Sequence, residues 1–68
     1  MRIVEQAFRV TERISIVKSD YPTDCLFQVF VNGRLQYQAT YSIEGENIDF
    51  GFDCLVRGDL VQLFYFIP

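Results

Sequence analysis

The chain has 68 residues, half of them hydrophobic and 16% aromatic, with six Lys/Arg against nine Asp/Glu and no histidine. That length allows one domain, residues 1–68, with no linker, and a domain so small hides only about 60% of the surface of its unfolded chain. The net charge of −3, with Arg2, Arg9, Arg13, Lys18, Arg34 and Arg57 spread along the chain, argues against the basic stripe of a nucleic-acid binder; no apolar run is long enough to cross a bilayer.

Arg2 to Val10 reads as a first strand, with Val4, Phe8 and Val10 on one face and Ile3 and Ala7 on the other. The opening MRIVEQAFRV has no continuous apolar stretch and no small-residue cleavage site, so no signal peptide is expected and the chain is expected to be used without export. After a break at Thr11-Glu12, Arg13 to Lys18 alternates, with Ile14 and Ile16 one way and Arg13, Ser15 and Val17 the other. Ser19 to Asp24 is a loop, because Ser, Asp and Pro each favour turns for their own backbone reasons. Cys25 to Val31 is the third strand, with Cys25, Phe27, Val29 and Val31 on one face and Leu26, Gln28 and Phe30 on the other.

Asn32-Gly33 then stands between apolar runs, the strongest short-range hairpin signal, because a type I′ turn needs positive φ at both central residues. Arg34 to Gln38 returns and places Leu35 and Tyr37 together. Tyr41 and Ile43 form the next strand, and Glu44-Gly45-Glu46-Asn47 turns it, with Gly45 at positive φ. Ile48, Phe50 and Phe52 alternate with Asn47, Asp49 and Gly51 as a half-buried strand. Asp53 to Asp59 is a loop, and Gly58-Asp59 bends it into the last strand, with Asp59 placed to accept from local backbone amides.

That last strand, Leu60 to Ile67, is apolar on both faces. Leu60, Phe64 and Phe66 point one way, and Val61, Leu63, Tyr65 and Ile67 the other, with Gln62 the interruption. A strand with no polar face is either covered on both sides within the fold or buried against a partner. A C-terminal strand in a small meander could sit at an edge, where something must cover it, so Leu60, Val61, Leu63, Phe64, Tyr65, Phe66 and Ile67 form the candidate interface. A charge at Leu63 or Tyr65 should weaken assembly if that face is the external one. The fold expected is an all-β, small antiparallel β-sandwich or flattened barrel of six to seven short strands in hairpin and meander order.

The residues carry little chemistry. Cys25 and Cys54 lack metal-ligand spacing and are read as free buried thiols, a disulfide being the lesser alternative. Ser15, Ser19 and Ser42 have no histidine to activate them. Glu44, Glu46, Asp49 and Asp53 lack the spacing that wraps a calcium ion and are read as solvated. Arg57-Gly58-Asp59 spells the integrin-binding tripeptide, but Gly58-Asp59 already serves as a turn. Tyr21, Tyr37 and Tyr41 offer rings for stacking on a sugar, although packing is the preferred reading. No catalytic residue, metal or cofactor is assigned.

Taken in order, Val29-Phe30-Val31-Asn32-Gly33, Leu35-Gln36, Tyr41 with Ile43, Gly45 with Ile48 and Phe50, and Leu55 with Gly58-Asp59, Val61 and Tyr65 resemble a β-sandwich module of bacteriophage virion structural proteins. The segment QAFRVTERISIVK is similar in length and position to that module's first two strands. Thr40 stands where the family often has an acidic residue, and Thr11-Glu12 where it has Gly-Gln. The resemblance implies a non-enzymatic virion subunit, either a capsid decoration (cement) protein or a small tail-associated one. It would partner copies of itself and other virion proteins, not nucleic acid or membrane. Read from the residues without the family, Asn32, Gly33, Tyr41, Gly45, Gly58 and Asp59 maintain the fold. A glycan- or receptor-binding adhesin module and a small inhibitor of a host protein are the alternatives.

Overall fold

The computed structural model describes residues 1–51 and 55–68. Its strands are β1 (Arg2–Arg9), β2 (Ile16–Lys18), β3 (Leu26–Val31), β4 (Arg34–Leu35), β5 (Ser42–Glu44), β6 (Asn47–Asp49) and β7 (Leu60–Ile67). They pair antiparallel in two open sheets, ordered β1-β7-β3-β4 and β2-β6-β5, which make a sandwich-like fold. Short 3-10 turns cover Thr23–Cys25 and Gln38–Thr40.

Both expected hairpins form, β3-β4 across Asn32-Gly33 and β5-β6 across Gly45-Glu46. The other neighbours are distant in sequence. β7 lies between β1 and β3 rather than at an edge, pairing with β1 from Arg2↔Ile67 to Arg9↔Leu60. β1 and β3 take both of its edges, the core covers one of its apolar faces, and the other lies on the outside of the sheet. Val61, Leu63 and Tyr65, all 0% exposed, face inward and cannot contact a partner, which removes them from the interface expected for the last strand. They pack with Val10, Val17, Val29, Ile48, Phe50 and Leu55 as the core, and Ile67 lies partly buried against it.

Three further readings are corrected by local geometry. The β3–β7 register shifts between Leu26 and Gln28, a bulge. An extra residue in one strand reverses the alternation past it, so Leu26 packs on the core while Phe27 turns outward, against the grouping of Phe27 with Val29. In the second strand the alternation breaks at Ser15: Ile14 bridges Leu55 and packs on the core, and Val17 rather than Ile16 is buried. The return strand stops at Leu35, and Tyr37 precedes a 3-10 turn, 74% exposed, instead of sharing a strand face with Leu35. The expected positions of Phe52, Asp53 and Cys54 lie outside the described residues; Cys25 is a half-buried free thiol.

Candidate interaction surface

With Val61, Leu63 and Tyr65 turned inward, strand alternation turns Leu60, Gln62, Phe64 and Phe66 outward. The partners at the same levels extend that face. Ile3 stands opposite Phe66 on β1, Phe30 opposite Gln62 on β3, and Leu35 opposite Phe30 on β4. The bulge adds Phe27, whose ring centroid lies 4.8 Å from that of Phe66, tilted by 43°. Phe30 meets Phe64 edge-on at 5.6 Å. Such offset and edge contacts favour the ring quadrupoles and lock the four rings as two pairs. The face stays open to water: Ile3 is 58% exposed, Leu35 49%, Phe66 43% and Phe27 38%. Its polar members include Gln62, opposite Phe30, and Gln28, opposite Phe64. Gln62 Nε2 donates to Glu5 Oε2 at 2.9 Å, and Arg9 Nη1 donates to the Gly58 carbonyl at 2.9 Å.

Asn32, Gly33, Gly58 and Asp59 converge on one end of the sandwich, whereas the Gly45 carbonyl accepts from Thr23 Oγ1 elsewhere. Asn32 and Gly33 take φ of 52° and 80°, as a type I′ turn requires. The Asn32 side chain then reaches across 27 residues. Its Nδ2 donates to Asp59 Oδ1 at 2.9 Å, and its Oδ1 accepts from the Leu60 amide at 2.8 Å. Asp59 Oδ2 also accepts from the Val56 amide at 2.9 Å, the local bond expected of it. Together these bonds hold its carboxyl below the ordinary carboxylate range, the Val56 amide contributing most. Gly58 takes φ of 96°, and its amide donates to the Val10 carbonyl. Gly45 has φ of 61° in the β5–β6 turn, and Tyr41 packs half-buried on Phe50 with centroids 5.9 Å apart. Burial raises the Tyr41 hydroxyl pKa. All of these residues tie backbone to backbone or fill space.

Open depressions lie among the described residues, two of them formed by loops and strand ends. One, of about 550 Å³, is lined by Lys18, Ser19, Asp20, Tyr21, Pro22 and Glu46. Beneath it the fully buried Tyr65 hydroxyl lies 2.7 Å from Ser19 Oγ and donates to Gln6 Oε1 at 2.6 Å, while Ser19 Oγ donates to the Tyr21 carbonyl. Burial raises the Tyr65 pKa, so the hydroxyl keeps its proton. Lys18 and Glu46 form an ion pair at 3.8 Å at the surface, too exposed to count for much. The other depression, of about 260 Å³, runs past Tyr41 and Asp49. Tyr21 and Tyr41 therefore belong to separate surfaces rather than to one stacking platform. Among the described residues no group of three His, Cys, Asp or Glu is placed to hold a metal ion, and no helix is long and apolar enough to cross a membrane. Set against protein-family models, curated proteins and solved structures, the chain gives no match.

Proposed function

We propose that the chain is a non-enzymatic structural subunit of a bacteriophage particle, either a capsid decoration protein or a small tail-associated one. It would act by packing on other virion proteins and on copies of itself. The observation that carries the assembly role is the outer face of the four-stranded sheet, where Ile3, Phe27, Leu35 and Phe66 stand more than a third exposed beside Phe30 and Phe64. A contiguous apolar face with polar groups around it is the anatomy of a protein contact. The virion context rests on the order of residues from Val29 to Tyr65 that resembles the phage module.

The polar cluster at the turns supports the same reading from the other side. Asn32, Gly58 and Asp59 bond to the backbone and one another, which leaves the role of the chain to its surface shape. Quantitative mass spectrometry of purified particles tests the proposal. A fixed, stoichiometric copy number is expected, and absence from particles made by a phage that expresses the chain would overturn it.

A further inference from the structure

We propose that the outer face of the four-stranded sheet is closed by the same face of a second copy, in a two-fold, sheet-on-sheet dimer. This deepens, and rests on, the reading of that face as an assembly surface. It names the first partner as the chain itself.

The arrangement of the rings carries the inference. Phe66 and Phe64 belong to β7, and Phe27 and Phe30 to its neighbour β3, in two ring pairs at 4.8 and 5.6 Å. A two-fold axis running between β7 and β3, parallel to both, lays β7 on β3 of the second copy. The Phe27–Phe66 pair then stacks on its own equivalent, as does the Phe30–Phe64 pair. A two-fold contact requires one patch to be complementary to itself, and two matched aromatic strands side by side meet that condition. Charge falls where such a contact tolerates it. Glu5 and Arg9 stand on β1, away from the axis, and both are already hydrogen-bonded within the chain. The two central strands present only Gln28 and Gln62 as polar groups on this face.

The area allows a weak contact. β1 and β7 have eight residues, β3 six and β4 two, so the face covers about 400 Å² in projection before side-chain relief is counted. Two such faces bury about 800 Å², and more with that relief, the range of a weak, concentration-dependent interface. Aligned sheets pack about 10 Å apart, a spacing that aromatic side chains from two faces fill.

Sedimentation equilibrium of the purified chain, from micromolar to millimolar, tests this directly. The expected species is a dimer of twice the 8.0 kDa chain mass. Phe66→Glu places an unpaired charge at the contact and should raise the dissociation constant at least about a hundredfold. Ile16→Glu is the control: Ile16 is 52% exposed on the opposite sheet, and that variant should stay dimeric. Circular dichroism confirms that both variants fold, as their exposed positions lead one to expect. A chain monomeric at all these concentrations, or a Phe66→Glu variant that dimerises like the parent, overturns the self-pairing. If the monomeric chain is nonetheless present at fixed copy number in particles, only the self-pairing falls. A dimer in solution with no chain in particles sinks the virion reading and leaves the dimer standing.

Discussion

Replacing Tyr65 with Phe isolates a buried polar network at the core. The Tyr65 ring is 0% exposed, and its hydroxyl contacts Ser19 Oγ at 2.7 Å and Gln6 Oε1 at 2.6 Å. Ser19 Oγ also lies 2.6 Å from the Tyr21 carbonyl, so three short contacts run in a row. Each hydroxyl carries one proton, and the Tyr21 and Gln6 oxygens only accept. Three contacts therefore share two protons, and the Tyr65 hydroxyl supplies one hydrogen bond, not two. Its partners keep others, since Ser19 retains the Tyr21 carbonyl and Gln6 Oε1 retains the Asp20 amide at 3.0 Å. The expected cost of Tyr65→Phe is thus about 1 kcal/mol, a fall of about 4–8 °C in Tm for a domain of this size. Thermal unfolding followed by circular dichroism, beside Ser19→Ala and the double variant, reads it. The double variant should lose about the sum of the two singles, because two protons make two hydrogen bonds and each single variant removes one. A loss of about 3 kcal/mol or more from Tyr65→Phe would mean that each contact counts separately; no loss at all would mean that the network does not hold.

The same hydroxyl sets a limit in alkali. Burial raises its pKa above the ordinary value of about 10. The folded form therefore favours the neutral group, and this stability is intact below pH 10 or so and lost as pH rises through the raised value; urea midpoints should fall there in the parent and fall less in Tyr65→Phe. Asp59 has the opposite sign. Its lowered pKa contributes stability that is present above the unfolded carboxylate value of about 4 and lost as pH falls through the folded one, so Asp59→Asn should flatten the urea-midpoint profile in acid. Leu63→Ala should cost about 2–5 kcal/mol by opening a cavity among Val61, Tyr65 and Val29, a large part of the roughly 3–10 kcal/mol available to a chain this short. It should lower the urea midpoint accordingly; an unchanged midpoint would place Leu63 outside the core.

Local grammar was readable from residues, and long-range pairing was not. Asn32-Gly33 and Gly45 announced both hairpins because the φ values they adopt are scarce for other residues. The alternation of β1 likewise showed Val4 and Phe8 turned to the core and Ile3 turned away. β7 gave no such signal: with apolar residues on both faces, only the packing of the core against one of them decides that Leu63 and Tyr65 go in while Phe64 and Phe66 go out. The bulge at Phe27 is silent in LFQVFV, which alternates as smoothly as an unbroken strand. The outer face was therefore half legible. Leu60, Phe64 and Phe66 stood among the expected contact residues, whereas Ile3, Phe27, Phe30 and Leu35 join them only through register. The bond from Asn32 to Asp59 joins two turns that the sequence shows separately, 27 residues apart.

Hydroxyl-radical footprinting of the chain, dilute and then assembled, tests most directly whether it works through its outer sheet face. Phe27, Phe66 and Leu35 should label readily when dilute and become protected on assembly, while Tyr37, 74% exposed and outside the strands at the cap of a 3-10 turn, keeps its labelling as an internal standard. Assembly that leaves Phe27 and Phe66 as reactive as before, or that protects Tyr37 instead, would contradict the account.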